Sequence, residues 1–129
     1  MGEQVSSDDW SGKTVLIVED DRFNALILEN FVKPTGIGVL VAATGELSVE
    51  MARNNKVDII LMDIKLSGIS GIEATYQIRK FNETVPIIAQ TAYATDTDKE
   101  SAIAEGCNGF ITKPINRIEL LRLMGEFLK

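Results

Sequence analysis

The stretch Ile59-Ile60-Leu61-Met62-Asp63 constrains the fold of this chain more than any other. A continuous apolar run with β-branched residues, bounded by polar segments, is the pattern of a strand buried on both faces, which occurs where helices cover both sides of a parallel sheet. A carboxylate on the last step of such a strand is costly unless the strand has just reached the rim of the sheet. In open α/β sheets the carboxyl-end rim is where ligands bind. Taken alone, Asp63 reads first as a cap of the loop that follows; the other residues at that rim argue for more.

In chain order, Met1 to Gly12 is polar and acidic and reads as a linker or expression remnant, with Trp10 making an ordinary linker contact. A single domain is expected over 13–129. Lys13 to Val18 is a first, central strand running into Glu19-Asp20-Asp21. Arg22 to Lys33 has helical spacing, with Phe23, Leu26, Ile27 and Phe31 on a broad apolar face, ended by Pro34 and Gly36. Val39 to Ala42 is a second strand. Thr44 then caps a helix that reaches about Asn54. A third strand, Val57 to Met62, ends on Asp63, and a helix follows over Gly71 to Lys80. Val85 to Ala89 is a fourth strand with Thr91 at its end. Thr95 to Glu105 predicts a polar, loosely held helix with only Ala102, Ile103 and Ala104 to bury. Asn108 to Ile111 is a fifth strand. After Thr112-Lys113-Pro114, Asn116 and Glu119 form a capping pair for a last helix that buries Leu120, Leu121, Met124 and Phe127. Five strands alternating with five helices predict a doubly wound parallel α/β sheet.

Composition excludes several functions. The net charge is −6 and no basic run is present, which argues against direct nucleic-acid binding. With no histidine, the chain has no His-based acid–base chemistry or triad of its own. The single cysteine, Cys107, excludes an internal disulfide and fits a reducing, cytoplasmic setting. No apolar run approaches the ~20 residues that span a bilayer, so no membrane contact is expected.

What remains is the set of residues at the strand ends: Glu19-Asp20-Asp21 after the first, Asp63 after the third, Thr91 after the fourth and Lys113 after the fifth. In a parallel sheet all emerge on one rim. Converging carboxylates repel one another unless a cation neutralises them, and carboxylate, carbonyl and water are the donors Mg²⁺ takes. A hydroxyl and an ammonium opposite suit anionic oxygens. Together they describe a place where a phosphoryl group meets Mg²⁺ and a carboxylate.

The motifs VLIVEDD, LMD-IKLSGISG, QTA and FITKP, in this order and at these separations, resemble the receiver domain of two-component response regulators over roughly Lys13 to Lys129. The resemblance implies a flavodoxin-like three-layer sandwich with strand order 2-1-3-4-5, for which a chemotaxis member of the family is a standard example. It implies that Asp63 is the phosphoacceptor, with Mg²⁺ held by Asp20 directly, by Glu19 through water, by Asp63, and by the main-chain carbonyl of Lys65. It makes Thr91 and Lys113 the residues on the phosphoryl oxygens, with the Lys113–Pro114 bond cis. Thr91 and Phe110 match the switch pair whose shift reshapes the surface between the fourth and last helices. Plain core packing is the other reading of Phe110. Lys65 and Tyr93 flank the pocket rim.

Two departures stand out. Ser67 replaces the usual proline in the loop after the acceptor, and Ser70 replaces a common acidic cap. The implied partner is a histidine kinase or a histidine phosphotransfer domain. The fourth and fifth helices offer a surface for weak homodimerisation. The lead-in DWSGK resembles linkers before receivers at the end of hybrid histidine kinases, with a stand-alone regulator as the alternative. The implied domain is a switch, not an enzyme beyond promoting its own phosphorylation and dephosphorylation. Competing readings are an unphosphorylated interaction module, an Asp-nucleophile phosphohydrolase and a nucleotide or flavin binder. The phosphohydrolase would place its nucleophile after the first strand in a D-x-D arrangement, and the binder would want a Gly-rich loop where this chain has acids.

Overall fold

The structure is a computed structural model that describes residues 9–92 and 96–128. Five parallel strands, β1 (Thr14–Val18), β2 (Gly38–Ala42), β3 (Ile59–Asp63), β4 (Ile87–Thr91) and β5 (Gly109–Thr112), lie in the order β2-β1-β3-β4-β5. The helices α1 (Arg22–Val32), α2 (Gly45–Asn54), α3 (Gly71–Arg79), α4 (Asp96–Glu105) and α5 (Arg117–Phe127) fill the connections. This is the doubly wound architecture the alternating pattern predicts.

Strand alternation divides the core into two layers. Leu16, Val18, Ile60, Met62, Ile87 and Ala89 face α2, α3 and α4 together with Val49, Ala74, Ile78 and Ala102. Val15, Ile17, Ile59, Leu61, Ile88 and Ile111 face α1 and α5 with Leu28, Val32, Leu120, Leu121 and Met124. The central strands are therefore apolar through Val15–Val18, Ile59–Met62 and Ile87–Ala89, as burial on both faces requires, and turn polar only at their ends.

Several boundaries differ from those read in the sequence. Strand β3 starts at Ile59; just before it Asp58 donates its N–H to the Thr14 carbonyl at 2.9 Å, and its carboxylate, in place of a main-chain carbonyl, accepts from the Thr14 N–H at 2.8 Å. Strand β4 runs two residues later than expected. Proline has no amide for the ladder, so Pro86 contributes only its carbonyl, to the Ile60 N–H at 2.9 Å, while the Val85 N–H turns to Asn82 Oδ1. In α1 the buried residues are Ala25, Leu28 and Val32; Phe23 is 70% exposed and Leu26 48%, so half of the expected apolar face looks outward. In α4 Ala102 is buried, but Ile103 and Ala104 are exposed. Phe127 is half-buried and Leu128 takes the deeper place in the core.

Trp10 corrects the reading of the lead-in. It is 5% exposed and belongs to the α1–α5 layer, its N–H donating to the Thr35 carbonyl at 2.8 Å and its ring lying against Gly125. A large aromatic gains most from burial, so the last residues before β1 are fastened to the domain.

Candidate phosphoacceptor site

The ends of β1, β3, β4 and β5 meet on one rim. Glu19 follows directly on β1, its N–H held by the Ala42 carbonyl of β2 at 3.0 Å. Asp63 is the last residue of β3. Behind it, α3 begins at Gly71, where an added Cβ would run into the Asp63 carbonyl, so only glycine lets the helix approach this closely. Ser70 caps that helix, accepting from the Glu73 N–H at 3.1 Å.

Glu19 and Asp63 are buried, at 2% and 4% exposure, and Asp20 is exposed. One carboxylate oxygen from each of the three lies within 4.8 Å of the others. Lys113 reaches in from beyond β5, its Nζ donating to Asp63 Oδ2 at 2.9 Å and Glu19 Oε1 at 3.2 Å. The ammonium thus offsets part of the charge of two acids that burial would otherwise penalise. Burial, then the charge of Asp63, pushes the Glu19 carboxyl above its ordinary value; the Asp21 N–H and Lys113 pull it back only in part. For Lys113, burial favours the neutral amine, but hydrogen bonds and charges from Asp63 and Glu19 outweigh it and raise its pKa.

The loop after β3 closes over these acids. The Lys65 N–H donates to Asp63 Oδ1 at 3.1 Å while its side chain is exposed. The Ser67 N–H and hydroxyl both donate to Asp20 Oδ2 at 3.2 Å. Here serine ties the loop to the acid cluster by hydrogen bonds, at the position where a proline was expected to stiffen it. Thr91 is buried at the end of β4, and its carbonyl accepts from the Lys113 N–H at 2.8 Å. The Lys113–Pro114 bond is cis. Phe110 is half-buried on β5 and packs on the layer that faces α2, α3 and α4. Tyr93 lies outside the described residues.

The donor set fits a hard divalent cation: oxygens only, three carboxylates converging, two of them buried. Asp21 is not part of it. Its side chain caps α1, accepting from the N–H groups of Phe23 at 2.9 Å and Asn24 at 3.2 Å. An acid immediately before a helix is an N-cap signal that the sequence carried.

A family model for the response regulator receiver domain matches residues 15–124. The chain is a response regulator receiver domain. It is similar to the transcriptional regulatory protein YvrH of Bacillus subtilis, 35% identical over 90% of this chain and 49% of YvrH, so the receiver spans about half of that relative. Among solved structures it resembles the receiver domain of sensor histidine kinase PA1611 from Pseudomonas aeruginosa PAO1, which has a magnesium ion coordinated in its active-site cleft. The two are 35% identical with a TM-score of 0.85, over 92% of this chain and 98% of that one. It also resembles the Saccharomyces cerevisiae Ssk1 receiver domain, co-crystallised with the histidine phosphotransfer protein Ypd1, at 34% identity and a TM-score of 0.85 over 90% and 88% of the two chains.

Sequence reasoning passed over one polar residue of the receiver. Gln90, paired in register with Asp63 on the neighbouring strand, is fully buried, and neither its Oε1 nor its Nε2 has a hydrogen-bond partner among the described residues. The signal was a lone amide closing the apolar run Ile87-Ile88-Ala89.

Proposed function

We propose that Asp63 accepts a phosphoryl group from a phosphohistidine carried by a histidine kinase or histidine phosphotransfer domain, with Mg²⁺ as cofactor. The observation that carries this reading is a buried acid, Asp63, placed at once in a cluster of three carboxylates and against a lysine. An Asp63 carboxylate oxygen attacks phosphorus, the P–N bond breaks, the pair of electrons leaves with the imidazole, and an acyl phosphate forms. Glu19, Asp20, Asp63 and the Lys65 carbonyl would hold the metal. When bound, Mg²⁺ neutralises charge gathering on the phosphoryl oxygens. Lys113 leaves its ion pair to meet one of these oxygens, and Thr91 donates to another.

The switch follows from position. Thr91 moving toward the phosphoryl group vacates space beside β5, Phe110 turns into it, and the surface between α4 and α5 changes. A protein partner is supported by Phe23 and Leu26, exposed on the first turns of α1 beside the rim, and by the resemblance to a receiver captured with a phosphotransfer protein. Among the described residues no helix is long and apolar enough to cross a membrane. The single thiol of Cys107, which is buried, fits a cytoplasmic setting.

Beryllofluoride, a phosphoryl analogue, tests the switch. With Mg²⁺ it should shift the backbone NMR signals of Thr91, Phe110 and α4. Signals unmoved at saturating beryllofluoride would leave an unphosphorylated interaction module as the better reading.

A further inference from the structure

Ser67 lies in the loop between β3 and α3, and its N–H and hydroxyl both donate to Asp20 Oδ2, each at 3.2 Å. Two donors on one oxygen restrain the rotamer of a carboxylate that is otherwise exposed. Among the described residues no donor reaches Asp20 Oδ1, so that oxygen keeps its lone pairs for a ligand. The loop itself does not need this contact. On one side of Ser67 the Lys65 N–H is bonded to Asp63 Oδ1 at 3.1 Å, and on the other the Ile69 N–H is bonded to Glu46 Oε2 at 3.3 Å. Leu66 and Ile69 also pack against the core layer that faces α2, α3 and α4. Ser67 is exposed, so its own side chain adds little burial.

The proline that the resemblance leads one to expect at position 67 has neither an N–H nor a hydroxyl and could make neither bond. The contact to Asp20 is therefore a property of this chain. A metal ligand binds better when a neighbour already fixes its orientation, because less ordering is left to do when the ion arrives. We propose that Ser67 is a positioning residue for the Mg²⁺ site: it holds the Asp20 carboxylate by one oxygen, leaves the other for the cation, and so raises the affinity of the site. This rests on the reading of Asp20 as a Mg²⁺ ligand, and not on Asp63 being the acceptor.

Titration of the metal-free protein with Mg²⁺, followed by the backbone NMR signals of Asp20 and Lys65, tests it. Ser67→Ala, which removes the hydroxyl bond, should weaken Mg²⁺ binding roughly three- to tenfold. Ser67→Thr, which keeps a hydroxyl, should bind as the wild type does. The urea midpoint of Ser67→Ala without metal should stay at the wild-type value, since the bonds of Lys65 and Ile69 still hold the loop. In metal-free protein the Hα–Hβ couplings of Asp20 should report one rotamer in the wild type and averaging in Ser67→Ala. Asp20→Ala should itself lose most of the affinity, and adding Ser67→Ala to it should cost nothing further. Unchanged or tighter binding by Ser67→Ala, an equal loss in the Asp20→Ala background, or an Asp20 already averaged over rotamers in the wild type would overturn the proposal. A wild type that binds no Mg²⁺, or an Asp20→Ala variant that binds it as tightly, would overturn the metal reading itself and the proposal with it.

Discussion

Asp63 and Gln90 are register partners at the ends of β3 and β4, equally buried, and they are treated in opposite ways. Asp63 is held by the Lys113 ammonium and the Lys65 N–H. Gln90, one strand away, has no partner among the described residues. A buried charge must be compensated for the chain to fold, so its charged partner comes from a distant segment, here 50 residues later. A buried neutral amide costs less to leave unpaired than a buried charge does. At the rim of a parallel sheet, then, the charged residue records what the fold needs and the neutral one records what it tolerates.

The comparison breaks most visibly at Lys113. Lys113→Met leaves Glu19 and Asp63 buried against each other without their cation, and should lower stability at pH 7 without Mg²⁺ by about 3 kcal/mol in urea unfolding. Added Mg²⁺ should recover much of it. Because the folded-state pKa of Lys113 is raised, its contribution is fully present below pH 10.5 and is lost only as pH climbs through that higher folded value.

Gln90→Met tests the other member. Removing two unpaired polar atoms at nearly constant volume should raise the urea midpoint, worth roughly 1–2 kcal/mol. A loss of stability instead would mean that the amide is satisfied in solution.

The smallest effect is expected at Glu19. Its carboxyl is raised in the fold, so the native state holds the proton more tightly than the unfolded chain, and stability falls as pH rises from about 4.5 through the folded value. Glu19→Gln should therefore gain about 0.5–1 kcal/mol at pH 7 without metal. The gain should vanish near pH 4, and Mg²⁺ affinity should drop. Urea melts at both pH values, with and without Mg²⁺, measure all three.

Most of the fold was legible because both periodicities were strong. Runs such as Val15 to Val18 and Ile59 to Met62 admit only a doubly covered sheet, and a doubly covered sheet brings the strand-end acids together. The clustering of Glu19, Asp20, Asp63 and Lys113 followed from topology alone. What escaped depended on three-dimensional competition. Periodicity shows that α1 has an apolar side but not how much of it the sheet covers, so Phe23 and Leu26 were placed inward. Trp10 sits in a polar lead-in, and only the groove near Thr35 and Gly125 reveals where its ring goes. The state of Gln90 could not be read at all, since satisfaction of a hydrogen bond is a property of neighbours in space.

Intact mass after incubation with acetyl phosphate tests most directly the claim that Asp63 is a Mg²⁺-dependent phosphoacceptor. Wild-type protein should gain one phosphoryl group with Mg²⁺, labile to base, and none with EDTA, while Asp63→Asn gains none under either condition. A wild type that stays unmodified with Mg²⁺, or an Asp63→Asn variant that gains the group as readily, would contradict the account.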